Sequence, residues 1–198
     1  DNKNVTHVLP MTKMKPLISG DTIKLVYNLD TKLYPGTNTL FVDFNPDNNQ
    51  PEQTHFNNFL YHNFYVIPDN FNPLMDVTFD GVRILNRDIV SGKPHILIKL
   101  QDESEFLKLQ DTSLIKVKVK FPDGTLKDYY FNSDTLKFIP ATGNGNTATI
   151  EFTPTFDAED DDYELFVTGK DAVGNEAGKT GYHVTFRVIG KPMISNLL

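Results

Sequence analysis

Apolar side chains recur at every second position along most of the chain, and this period constrains the fold more than any other feature. In the clearest case, Ile115, Val117, Val119 and Phe121 alternate with three lysines. Because successive side chains of a strand point to opposite faces of a sheet, this pattern predicts a half-buried strand with lysines on its wet face. No window keeps an apolar i, i+3, i+4, i+7 pattern for three turns, so we expect an all-β fold.

Residues 71–191 are predicted to form one complete sandwich of seven or eight strands. Clusters of Pro, Gly, Asn and Asp separate its alternating segments, which is typical of turns. The apolar positions change from odd to even residue numbers at Asp80 and Gly81. We therefore expect either a β-bulge there or the point where the first strand crosses between sheets. Residues 101–109 are ambiguous and have room for a single helical turn.

The penultimate predicted strand opens on Tyr163 and ends in the turn-forming residues 171–175. This segment resembles the corresponding strand of an immunoglobulin-like or fibronectin type III-like sandwich. In such folds the tyrosine hydroxyl bonds back to the backbone of the preceding corner, with apolar residues such as Leu165 and Val167 following it. The alternative is an ordinary half-buried aromatic side chain.

Residues 1–70 are predicted to form a smaller β-domain. Three alternating segments predict strands at 23–29, 40–44 and 61–67, which are too few for a complete sandwich. Residues 68–73 contain two prolines and two asparagines, a composition that favours an extended linker.

Charge and residue content exclude several classes of function. The formal net charge of -7 argues against binding to nucleic acid or to an anionic membrane surface. No apolar run approaches the ~20 residues that span a bilayer. The absence of cysteine removes disulfides, thiolate metal sites and a cysteine nucleophile within this chain.

Two groups of segments resemble parts of known families. Residues 76–85, 88–90 and 93–100 resemble a module of very large secreted Bacteroidetes proteins, relatives of gingipain-type cysteine peptidases exported by the type IX secretion system. Residues 35–43, together with Asn45-Pro46, Glu52 and the pair Asn57-Asn58, resemble the back half of a CARDB-type adhesion module. The front strands of that module are missing. We therefore expect the first domain to be completed by another chain or by sequence outside this one.

The resemblance implies a non-catalytic accessory or spacer region of a secreted or cell-surface protein. It places the chain outside a Gram-negative bacterium or on its outer membrane, and it makes residues 192–198 a tail leading to a missing C-terminal domain. A cysteine peptidase domain would lie elsewhere in the parent protein. The partner would be the rest of that chain, or secretion or surface machinery. The alternative function is a glycan- or protein-binding adhesion module.

The sequence offers one candidate metal site. Asp157, Asp160 and Asp162 crowd together before the Tyr163 strand, and hard carboxylates of this kind bind calcium. Asp171 or Asn175 would add ligands. The run lacks the glycine and the spacing of an EF-hand loop, and charge runs usually face water, so a solvated acidic turn is the favoured interpretation.

A candidate binding site lies in the asparagine-rich loop of the first domain. The loop from Asn45 to Asn58, with Asn57 and Asn58 as its candidate binding residues, could bind a glycan or a protein through its amides and aromatic side chains. A polar hairpin loop capped by Asx turns is the favoured alternative. No set of residues converges on an acid, a base and a nucleophile, so the sequence predicts no catalytic site and no cofactor.

Overall fold

A computed structural model describes residues 1–10, 13–131, 134–157 and 161–189 of the 198-residue chain. The chain divides into two compact units, Asp1–Pro68 and Asp69–Leu198. They are called here the first unit and the sandwich. The described residues form eleven strands and a short 3-10 turn, Thr112–Leu114, without an α-helix, which confirms the predicted all-β fold. None of their helical segments is long and apolar enough to cross a membrane.

The first unit contains one hairpin, formed by β1 (Gly36–Asp43) and β2 (Phe59–Val66). The two strands pair antiparallel, with Phe41 opposite Tyr61. The predicted strand at 23–29 is wrong, because described residues 13–35 contain no strand. Alternation makes a segment suitable for a sheet, but a strand also needs a neighbour for its backbone hydrogen bonds, and this segment pairs with none.

The first unit lacks an apolar core among its described residues. Its two buried residues there are polar, Asn38 and Asn58. Phe41, Phe59 and Tyr61 instead remain 48%, 48% and 69% exposed. A two-stranded hairpin is marginally stable in water without further packing, so little in this part of the chain stabilises the unit.

The sandwich contains two sheets built from nine strands. They are β3 (Leu74–Phe79), β4 (Asp88–Val90), β5 (Ile96–Gln101), β6 (Ile115–Lys120), β7 (Leu126–Tyr129), β8 (Leu136–Ile139), β9 (Thr147–Phe152), β10 (Asp161–Gly169) and β11 (Tyr182–Val188). One sheet has the order β3-β5-β9-β8 and the other β4-β11-β10-β6-β7. When the short edge strands β4 and β7 are left out of the count, this is the immunoglobulin order, in which the first, second, fifth and fourth strands face the sheet that holds the last two.

The first strand crosses between the sheets, as predicted. β3 pairs with β5 in one sheet, whereas β4 pairs parallel with β11 in the other. The predicted bulge is not present. Asp80 and Gly81 both have positive φ, 50° and 84°, between reciprocal backbone hydrogen bonds of Phe79 and Val82. They form a tight two-residue turn of the type that Asp-Gly favours, and residues 80–87 make the crossing.

The core lies between the two sheets. Ile98 and Ile150 of one sheet and Leu165 and Phe186 of the other are completely buried. Each buried side chain of this size contributes about 1.5–3 kcal/mol relative to exposure, so the core is the main source of stability. The strict alternation along residues 115–121 is confirmed, since Ile115, Val117 and Val119 point into this core.

Tyr163 anchors the lower end of the sandwich. Its ring is 3% exposed. Its hydroxyl donates a 2.9 Å hydrogen bond to the backbone carbonyl of Asp157, six residues earlier. The predicted tyrosine corner is therefore confirmed.

The sandwich has two ends, called here the upper and lower poles. At the upper pole β3 begins, β5 ends and β9 begins, since Gln101 pairs with both Leu74 and Thr147. The segment before β3 reaches the β10–β11 connection there, where the Asn175 side-chain amide donates to the Asp69 carbonyl at 3.2 Å. At the lower pole β10 begins opposite the end of β11. No α-helix forms in 101–109, which is an irregular connection at the upper pole.

Candidate functional site

The described residues of the predicted acidic loop do not belong to a cluster of three carboxylates. Asp157 is exposed, and its backbone carbonyl accepts the Tyr163 hydroxyl. Asp162 Oδ1 accepts a 2.8 Å hydrogen bond from Arg187 Nε, and this contact lowers the pKa of Asp162. Asp160 lies outside the described residues. The calcium hypothesis for this loop stays a prediction.

Asp171 and Asn175, the suggested additional ligands of that loop, lie elsewhere. They follow β10, whereas Asp157 precedes it, so the nine residues of β10 separate the two sets. The additional ligands are therefore at the opposite pole from Asp157 and Asp162.

The two asparagines predicted to form a binding site in the first unit differ in their exposure. Asn58 is buried and lines a shallow hollow with Asp43 and His55, whereas Asn57 is exposed. Asn45 organises the loop, since its amide donates to the Gln50 carbonyl and to a Glu52 oxygen, both at 2.6 Å. These contacts are the side-chain capping expected of a polar hairpin loop, which is the favoured alternative. The hypothesis that the loop binds a glycan or a protein stays a prediction.

Three carboxylates meet at the upper pole of the sandwich. Asp69 precedes β3, and Asp102 and Glu103 directly follow β5. One oxygen of each lies within 4.8 Å of the others. They are called here the carboxylate cluster. Among the described residues, no other group of three or more His, Cys, Asp or Glu side chains comes together in this way.

Asp102 is fixed in position by Asn146. The Asp102 N–H donates to the Asn146 carbonyl at 2.9 Å, and the Asn146 amide donates to Asp102 Oδ2 at 3.1 Å. Asn146 also donates to the carbonyls of Ser104 and Leu107, and it accepts from the N–H of Leu109. A single buried asparagine therefore orders the connection that follows β5 and orients the Asp102 carboxylate.

The second oxygen of Asp102 accepts no hydrogen bond from an N–H or hydroxyl group. The residue is 5% exposed, and its Oδ1 is buried without a hydrogen-bond partner. Asp69 has the same asymmetry: Oδ1 accepts from the Phe71 N–H at 3.3 Å, while Oδ2 is buried without a partner. A buried carboxylate oxygen without a partner costs free energy, so this arrangement of Asp69 and Asp102 is electrostatically unfavourable by itself.

Asp171 lies behind the cluster and is fully satisfied. It is 1% exposed, and its Oδ1 accepts from three consecutive backbone N–H groups, those of Val173, Gly174 and Asn175. Its Oδ2 accepts from the Asn175 amide at 2.7 Å. The predicted turn at 171–175 is confirmed. The carboxylate adds negative charge to the site without offering a free oxygen.

The electrostatics of the cluster favour a bound positive charge. Burial, followed by the charge and hydrogen bond of Glu103, raises the pKa of Asp102 to about 6, and the charges of Asp69 and Asp171 add to this. Burial also raises the pKa of Asp69, against a smaller opposing effect of the Phe71 N–H. The charged groups that act on both are carboxyl groups, which repel one another when ionised.

Sequence reasoning missed this cluster because its carboxylates and the residues that surround them come from four distant segments. Asp69, Asp102, Asn146 and Asp171 show no motif spacing, and only the sandwich topology brings them to one pole. The available signal was local: a carboxylate pair directly after the apolar strand 96–100.

No protein-family model matches the chain, and no curated protein matches it.

Proposed function

We propose that the chain is a non-catalytic accessory region of a large secreted or cell-surface bacterial protein, in which the sandwich spaces and presents other domains. The observation that carries this proposal is the path of the chain through the sandwich. The segment before β3 lies at the upper pole, and β11 ends at the lower pole opposite Asp161. A module with this path holds its two attachment points apart.

The interior of the sandwich supports a rigid spacer. Completely buried side chains from both sheets form one core, and hydrogen-bonded strands run from pole to pole. A close-packed interior of this kind resists compression. The distance between the two attachment points is therefore set by the length of the strands.

The charges on the outer face of the five-stranded sheet are consistent with a module that does not associate with neighbouring domains. Ion pairs cross its strands between Lys118 and Asp128 and between Lys120 and Glu164, at 3.1 and 2.8 Å. The edge strands β4 and β7 have three and four residues. Charged faces and short edges limit association between sheets.

The resemblance of residues 76–100 to modules of type IX-secreted Bacteroidetes proteins supports the cellular context. In that context the chain is exported and lies outside a Gram-negative cell. The sandwich would then connect an upstream catalytic domain with a downstream sorting domain.

Spin labels test the geometry of the spacer. The chain has no cysteine, so labels attach only where cysteine is introduced. Asn72→Cys at the upper pole and Asp161→Cys at the lower pole should give one narrow distance distribution near 30 Å, from about nine strand residues at ~3.3 Å each. The control pair Asn72→Cys and Lys179→Cys, both at the upper pole, should give a shorter distance. A broad distribution from the first pair would contradict a rigid spacer.

Replacement in the full-length parent protein tests the function itself. A flexible Gly/Ser segment in place of residues 71–189 should reduce surface display of the attached domains, since it no longer holds them apart. An unrelated immunoglobulin-like sandwich should restore display. If that unrelated sandwich failed, the region would have a specific binding role and the spacer proposal would be wrong.

A binding role for the first unit is the second candidate, and its aromatic face favours it. The rings of Phe41 and Tyr61 lie 4.8 Å apart, and those of Phe41 and Phe59 lie 5.8 Å apart, all substantially exposed. Aromatic rings on one open face can stack against sugar rings. Affinity electrophoresis in gels containing xylan, mannan or β-glucan should show that the polysaccharide slows migration of the chain. Tyr61→Ala should remove this effect, and the control Tyr130→Ala, in the sandwich, should retain it.

A further inference from the structure

We infer that the carboxylate cluster of Asp69, Asp102 and Glu103 is a calcium-binding site at the upper pole of the sandwich. It is distinct from Asp157 and Asp162 of the acidic loop, which lie at the other pole. It does not depend on the spacer proposal, because it concerns only the sandwich's own residues.

The geometry of the cluster fits one calcium ion. Calcium–oxygen distances are about 2.3–2.6 Å, so two ligands on opposite sides of the ion lie about 5 Å apart. The three carboxylate oxygens lie within 4.8 Å of one another. One ion can therefore contact all three without a change in the backbone.

The unpartnered oxygens point independently to a ligand. Asp102 is 95% buried, yet its Oδ1 has no donor, and Asp69 Oδ2 is also buried and unpaired. By contrast, the buried side chains of Asn146 and Asp171 at the same pole have hydrogen-bond partners. A cation between Asp69 and Asp102 would satisfy both unpaired oxygens at once and remove the repulsion from Glu103.

The ligand chemistry selects calcium among common divalent ions. The cluster offers only carboxylate oxygens, which suit hard cations and not zinc or copper. Three carboxylates supply three to six oxygens, and water completes the six to eight that calcium takes. Magnesium prefers near-ideal octahedral geometry with several retained waters, whereas ligands from two separate connections suit the more flexible calcium shell.

Binding would join the start of the sandwich to the connection that follows β5. Asp69 belongs to the segment before β3, while Asp102 and Glu103 belong to the connection after β5. An ion that bridges them stabilises the folded state by mass action, because the unfolded chain does not hold the three carboxylates together.

Calorimetric titration of the chelator-treated full chain with calcium chloride tests the inference. We expect one calcium per chain and a rise of several degrees in Tm at saturating calcium. Glu103→Gln should weaken binding at least tenfold, and because Glu103 is exposed this variant should fold normally. Asp102→Asn should abolish binding.

Matched controls separate this site from the acidic loop. Asp157→Asn and Asp162→Asn should bind calcium as the wild type does. The inference is overturned if millimolar calcium gives neither heat nor a Tm shift, or if Glu103→Gln binds as tightly as the wild type. It is also overturned if the loop variants lose binding instead, or if magnesium binds as tightly as calcium.

Discussion

At the scale of single residues, Tyr163 and Asp102 show what a sequence reveals about a side chain. The Tyr163 hydroxyl bond was predictable because donor and acceptor lie six residues apart in one corner with a known pattern. The environment of Asp102 was not predictable. Its partners are 44 residues away at Asn146 and 33 away at Asp69, and its burial exists only after the strands have packed.

Tyr163→Phe tests the corner. The substitution keeps the ring in the core but removes the hydrogen bond to the Asp157 carbonyl. We expect a loss of about 0.5–1.5 kcal/mol in the free energy of unfolding, measured by urea denaturation. Tyr65→Phe, an exposed tyrosine of the first unit, is the control and should leave the sandwich transition unchanged. An unchanged midpoint for Tyr163→Phe would show that the bond adds nothing to stability.

Glu164 makes stability depend on pH. Hydrogen bonds from Lys120 and His183, at 2.8 and 2.9 Å, lower the pKa of Glu164 below its ordinary value of 4.5. A carboxyl group with a lowered pKa stabilises the fold above its unfolded pKa, and this contribution disappears as the pH falls through the folded pKa.

We therefore expect Glu164→Gln to cost roughly 0.5–1 kcal/mol at pH 6, a modest figure because the side chains of Lys120 and His183 are nearly half exposed to water. The difference from the wild type should vanish as the pH is lowered below the folded pKa. Chemical denaturation over a pH series checks this, with exposed Glu105→Gln as the control. A difference that stays constant down to pH 2 would exclude the ionic explanation.

At the scale of elements, alternation predicted strands well where a partner strand exists and failed where none does. Residues 115–120 and 163–169 became central strands because each finds neighbours in the five-stranded sheet. Residues 23–29 also alternate, apart from Val26, but they pair with no strand among the described residues. Pairing is a property of the whole fold, so one segment cannot report it. The change of parity at Asp80-Gly81 left a bulge and a crossing between sheets as alternatives, and only the pairing of β3 and β4 with different strands decides for the crossing.

Gly181 tests how closely the last strand must approach its neighbour. It has φ +71°, and a side chain there would collide with the Val167 carbonyl. Gly181→Ala should cost about 1–3 kcal/mol, because it adds both backbone strain and a steric clash. Gly145→Ala is the matched control, since nothing lies within 4 Å of its added Cβ. Equal urea midpoints for the two variants would contradict this interpretation.

At the scale of the whole molecule, the two units differ in what holds them together. All fully buried apolar side chains among the described residues belong to the sandwich. The sequence predicted seven or eight strands for the sandwich, and its described residues form nine, because a strand as short as the three-residue β4 shows no alternating pattern. The arrangement of strands into two sheets follows from long-range pairing, which the sequence does not display.

Separate fragments test this difference. Residues 69–198 should unfold in one cooperative transition, because they contain a complete core. Residues 1–68 should show no cooperative transition, because a two-stranded hairpin without an apolar core is marginal in water. Circular dichroism during thermal unfolding checks both. A sharp transition for residues 1–68 would mean that this unit needs no further partner.

The path of the chain from pole to pole also determines how the sandwich responds to tension. A pull on both ends draws β3 towards the upper pole and β11 towards the lower pole, along the strand axes. The hydrogen bonds that join β3 to β5, and β11 to β10 and β4, lie across that direction. They are sheared together and must break almost at once, whereas a hairpin pulled from one end opens bond by bond. The sandwich is thus connected to bear mechanical load along its length.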